Sequence, residues 1–69
     1  MWLNIDKPTS KCTAHNDPKC RHVLDMKVTK LKGINEIKTD GGWLEFPAES
    51  AAIAYKKRGY ENYEFSRCC

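Results

Sequence analysis

The sequence predicts an α+β fold, a small antiparallel sheet of three to four strands packed with one helix over about residues 47–58, with a Cys/His loop at 11–22. Three observations predict it. Bulky and smaller or polar side chains alternate in Trp2-Leu3-Asn4-Ile5, as in a half-buried strand. The turn-forming run Thr39-Asp40-Gly41-Gly42 separates two apolar segments. A stretch rich in helix formers follows Pro47 and ends at Gly59.

The first strand is expected over Trp2–Ile5 and is broken by Lys7-Pro8-Thr9-Ser10. Residues 11–20 contain Cys12, His15, Asn16, Asp17, Pro18 and Cys20, and Asn-Asp-Pro disfavours continued strand or helix, so this segment reads as a turn-rich loop. The apolar positions Val23, Leu24, Met26, Val28 and Leu31 fit a short turn passing into an alternating strand. Gly33, Ile34 and Ile37 lead into the Asp-Gly turn, and Trp43-Leu44-Glu45-Phe46 returns as the second arm of a hairpin.

Pro47 suits the first turn of a helix because its missing N–H would be unpaired there anyway. Glu49 in the first turn and Lys56, Lys57 and Arg58 in the last complement the helix dipole. Ala48, Ala51, Ala52 and Tyr55 share one face, small enough to let the helix lie close to a sheet. Gly59 is the expected C′ residue, with Tyr60 packing back on Tyr55. Tyr63-Glu64-Phe65 alternates as a last strand leading to Cys68 and Cys69.

At 69 residues the chain is expected to be a single domain, 1–69, with a thin core. Domains of this size commonly add a staple such as a disulfide, a metal or a partner subunit. The N-terminus lacks a basic n-region and an apolar h-region, and the longest apolar run, Ala51 to Ala54, is far short of the roughly 20 residues that span a bilayer. The expected setting is therefore soluble and cytoplasmic, where clustered cysteines favour metal binding or free thiols over disulfides.

Ligands for a tetrahedral zinc site usually arrive as short-spaced pairs from separate parts of a fold, so that the metal ties those parts together. Cys12-x-x-His15 supplies one pair, Cys20 lies in the same loop, and Cys68-Cys69 come from the far terminus. Adjacent cysteines cannot form the usual C-x-x-C knuckle, so at most one of the two is expected to be a good ligand. The candidate set is Cys12, His15, Cys20 and Cys68, with zinc as the cofactor. A Cys20–Cys68 disulfide and uncoordinated thiols are the alternatives. Cys69 is expected to matter little, and His22 to be a surface residue.

The arrangement His15-Asn-Asp-Pro-Lys-Cys20-Arg-His-Val, then Gly42-Trp-Leu-Glu-Phe46, Ala51 in a helix, Gly59-Tyr60 and a terminal Cys68 resembles the short Ada-type metal-binding module of DNA-repair and nuclease-associated proteins. That module has a His/Cys-x-x-x-Cys loop, a strand ending in Phe, a helix closed by Gly-Tyr and a final C-x-x-C. The similarity spans residues 12–68. His15 to Cys20 is one residue longer than the usual spacing, and Phe65 stands where the first Cys of the final pair would be. The resemblance thus implies Cys20 and Cys68 as ligands, with His15 as a shifted third.

Twelve Lys and Arg against nine Asp and Glu give a net charge of +3. The balance is mildly basic and uneven. The expected nucleic-acid contacts are Lys19, Arg21, Lys27, Lys30 and Lys32 in one stretch and Lys56, Lys57 and Arg58 in another. Solvated lysines that keep a small protein soluble are the plainer account of the same residues. Catalysis is not expected: the Cys12/His15 and Cys20/His22 pairs are local, with no third group to orient them. The expected function is a non-enzymatic binding module, stapled by zinc, with weak nucleic-acid binding. The alternative is a protein-interaction module or inhibitor of a larger protein, with free or disulfide-bonded cysteines. Neither a membrane nor a small-molecule substrate is implied.

Overall fold

The computed structural model describes residues 1–17 and 19–68 of the chain. Cys69 therefore lies outside the described residues, as does Pro18 of the predicted loop.

β1 (Trp2–Asp6) and β2 (Lys11–His15) form the first antiparallel pair, with Leu3 opposite Ala14 and Ile5 opposite Cys12. The turn between them carries Ser10 at φ 56. A short helix, α1 (Arg21–Leu24), follows, then a two-residue strand, β3 (Gly33–Ile34). β4 (Gly41–Glu45) pairs antiparallel with the other side of β1, placing Leu44 opposite Leu3. The helix α2 (Glu49–Gly59) then leads to β5 (Glu64–Arg67). Among the described residues the sheet has five strands in the order β3-β4-β1-β2-β5.

The α+β class is as the sequence predicts, but the sheet is larger and mixed rather than antiparallel. Two causes account for the difference. Residues 11–15, expected as loop, form a strand because Cys12 and Ala14 alternate with Lys11 and Thr13 and so present one apolar side to the core. β5 runs parallel to β2, and β3 parallel to β4. A parallel neighbour needs a crossover, and α2 supplies one: it carries the chain from β4, across β1 and β2, to the edge beyond β2. The expected Thr39-Asp40-Gly41-Gly42 turn is present as a Lys38–Gly41 bridge, yet only two residues of β3 pair with β4. The alternating strand expected within His22 to Lys32 is not formed: α1 takes the first part of that stretch and the residues after it are irregular up to β3.

The period-2 alternation of β1, β2 and β4 sorts side chains onto two faces. Leu3, Ile5, Cys12 and Ala14 are fully buried beneath Ala52 of α2, which is also fully buried. The small side chains at Ala14 and Ala52 allow this close approach, while Phe46, Tyr55, Tyr60 and Tyr63 pack around it. Tyr60 does return onto Tyr55, their rings 5.8 Å apart. Gly59, however, lies within α2 with no positive φ, and the cap is Tyr60, whose N–H donates to the Lys56 carbonyl. The glycine that needs its freedom is Gly41, at φ +114, where a Cβ would sit 1.9 Å from the Ile5 carbonyl oxygen.

The opposite face of the sheet carries a second, smaller cluster. Trp43, Cys20 and Val23 are buried there, with Trp2 and Met26 against them. No helix among the described residues is long and apolar enough to cross a membrane.

Candidate metal centre

The two parallel strands β2 and β5 end together. Their register pairs Ala14 with Arg67, and one step further the Cys68 N–H donates to the Ala14 carbonyl at 2.9 Å. This ladder sets Cys68 beside His15, the last residue of β2. His15 points to the face opposite Ala14, where its ring lies 5.0 Å from Trp43 and 5.5 Å from His22.

Cys20 returns to the same place through a turn built on Asp17. The Asp17 carboxylate accepts from the Lys19 N–H at 2.9 Å, and the Asp17 carbonyl accepts from the Cys20 N–H at 2.9 Å. An aspartate side chain that bonds its own backbone two residues on is a standard way to reverse a chain. Cys20 then occupies the position before α1, its carbonyl accepting from the Leu24 N–H at 3.0 Å. Asp17 is the positioning residue that the sequence reading treated only as a turn former; the Asp two places before Lys19 was the available signal.

The result is a group of three ligand atoms, from His15, Cys20 and Cys68, all within 4.8 Å of one another. His15 Nδ1 lies 3.5 Å from Cys20 Sγ. Zn–S bonds of about 2.3 Å and Zn–N bonds of about 2.0–2.1 Å at tetrahedral angles imply an N···S edge of about 3.5 Å and an S···S edge of about 3.8 Å. The His15–Cys20 edge already has that length, and the whole group lies within roughly 1 Å of it. The three residues are therefore close enough to hold a metal ion. His15 is 3% and Cys20 8% exposed, whereas Cys68 is exposed and gives access from solvent. Burial holds the His15 imidazole below its ordinary pKa, and the neighbouring His22 adds to the effect.

Cys12 does not join this group. It lies three residues before His15 on the same strand, and strand parity sends the two side chains to opposite faces. Its sulfur is fully buried in the core under α2, and burial pushes its thiol pKa up despite an opposing effect of Lys56. Cys12 and Cys68 carry free thiols, so the Cys20–Cys68 disulfide weighed from the sequence is not formed. Cys20 is itself engaged in a disulfide. His22 is exposed, as expected, but close to His15.

The two basic groups are separated by the sheet. Lys19, Arg21, Lys27 and Lys30 are exposed on the segment that covers the Trp43 face. Lys56, Lys57 and Arg58 belong to α2, which covers the other face. Lys32 is engaged with β1, 3.5 Å from the Asp6 carboxylate and 3.2 Å from the Asn4 side-chain oxygen. No family model, curated protein or solved structure matches the chain.

Proposed function

We propose that this protein is a small binding module that, with its cysteines reduced, holds one thiophilic divalent cation such as zinc through His15, Cys20 and Cys68. The observation that carries this reading is the convergence of three ligand atoms from β2, the Asp17 turn and β5 within 4.8 Å. Imidazole and thiolate are the donors zinc prefers, and ligands drawn from distant parts of a chain let the metal link those parts. Here the link joins the loop after β2 to the C-terminal strand, supplementing a thin core. The positions taken from the Ada-type resemblance, His15, Cys20 and Cys68, are the same three, which supports a related role. The fourth coordination position is left to water or to a further ligand.

Cobalt(II) titration of the reduced chain tests this, because thiolate coordination gives a strong sulfur-to-metal charge-transfer band. Wild type and Cys12→Ser should show the band. Cys68→Ser, at an exposed position outside the core, should weaken binding at least about tenfold. Equal binding by wild type and Cys68→Ser would refute the assignment.

A macromolecular partner is a second reading, favoured by the exposed Lys19, Arg21, Lys27 and Lys30 beside the exposed Leu24, Val28 and Leu31. We place nucleic-acid binding on this segment rather than on α2, with a larger protein docking on the exposed Leu24, Val28 and Leu31 as the alternative. Replacing Lys27 and Lys30 with Glu should abolish weak, salt-sensitive binding to DNA or RNA, while Lys57→Glu should leave it intact. Affinity independent of salt would favour the protein partner.

A further inference from the structure

The disulfide at Cys20 and the candidate metal centre use the same sulfur. A sulfur bonded to a second sulfur carries no thiolate charge, so it cannot be the anionic donor that zinc requires. Meanwhile His15 Nδ1 is 3.5 Å from that sulfur, and the Cys68 thiol is free and within 4.8 Å of both donors. Two of the three donors are thus already assembled beside Cys20 with that residue oxidised, and reduction of Cys20 would supply the third.

We propose that the site is redox-gated: the reduced chain holds the cation, and formation of the Cys20 disulfide releases it. The inference rests on the metal-binding function proposed above. In the oxidising direction a small disulfide of the oxidised-glutathione class accepts two electrons. The Cys20 thiolate attacks one of its sulfurs, forming a mixed disulfide and expelling one thiolate of the reagent. A second protein thiol, after losing its proton, then attacks the Cys20 sulfur and expels the other. One protein disulfide has formed, the reagent disulfide has become two thiols, and the cation leaves with two donors remaining. Two equivalents of reduced thiol reverse the sequence.

Binding that favours only the reduced form must make that form harder to oxidise, by the same factor with which oxidation weakens binding. Oxidation midpoints of the full chain in glutathione buffers, read by thiol alkylation and mass spectrometry, test this with zinc alone as the probe. At free zinc about 100 times the Kd of the reduced chain, the ratio of oxidised to squared reduced glutathione needed for half-oxidation at Cys20 should rise about 100-fold. A chromophoric zinc indicator in the same experiment should report one ion released per disulfide formed. Zinc bound by the reduced chain with an unchanged midpoint, or retained after Cys20 is oxidised, would overturn the gate and leave the metal-binding function standing. Absence of zinc binding by the reduced chain would overturn that function, and the gate with it.

Discussion

Cys68 is held beside His15 by main-chain pairing: its N–H donates to the Ala14 carbonyl at 2.9 Å, continuing the parallel ladder between β2 and β5. The exposed Cys68 thiol therefore owes its place in the candidate metal centre to the strand before it.

That placement separates the two free thiols. Cys68→Ser should lower metal affinity with little change in the melting temperature of the metal-free chain. Cys12→Ser should leave metal affinity intact and destabilise the fold by about 1–3 kcal/mol, because it puts a hydroxyl into a fully buried apolar cluster. Thermal melts of both variants without metal, paired with cobalt titrations, check the contrast.

The glycines give a second contrast. Gly59→Ala should be neutral or stabilise the domain by up to about 1 kcal/mol, since the residue is helical and a Cβ there meets nothing within 4 Å. Gly41→Ala should cost about 2 kcal/mol or more, through positive φ and collision with the Ile5 carbonyl. Denaturant midpoints of the two variants should move in opposite directions, or only the Gly41 variant should move.

Asp6 sets an acid limb on stability. The Thr9 hydroxyl donates to its carboxylate, and this contact, with further help from Lys32 and Lys11, outweighs burial and holds its pKa below the ordinary 3.8. A carboxyl whose folded pKa is depressed contributes stability that is present above its unfolded value, about 3.9, and is lost as pH falls through the folded one. Asp6→Asn should therefore be less stable than wild type at neutral pH, and the gap should close below about pH 4. Melting curves between neutral and acid pH measure the difference.

β1, the β4 strand and α2 are legible in the sequence because each carries its own local signal: alternation in Trp2–Ile5, turn chemistry before Gly41, and a Pro-led run of helix formers closed by basic residues. β2 is hidden because Asn16 and Asp17 mark the turn that follows it, and the chemistry of Cys12 and His15 draws attention from their alternation with Ala14 and Thr13. The parallel pairing of β5 depends on where the α2 crossover lands, and that of β3 on the path of residues 35–40 into β4, neither of which a local pattern encodes. The error at the site follows from the error in the fold. Once residues 11–15 are a strand, an odd spacing of three forbids Cys12 and His15 from sharing a face, and the ligand set loses Cys12. His15, Cys20 and Cys68 were legible as donor types; their meeting depends on the β2–β5 register and the Asp17 turn.

X-ray absorption at the zinc edge of the reduced, zinc-loaded chain tests the metal assignment most directly. The predicted first shell contains sulfur at about 2.3 Å from Cys20 and Cys68, with an imidazole nitrogen from His15 at about 2.0–2.1 Å. A shell of oxygen and nitrogen alone, without sulfur, would contradict it.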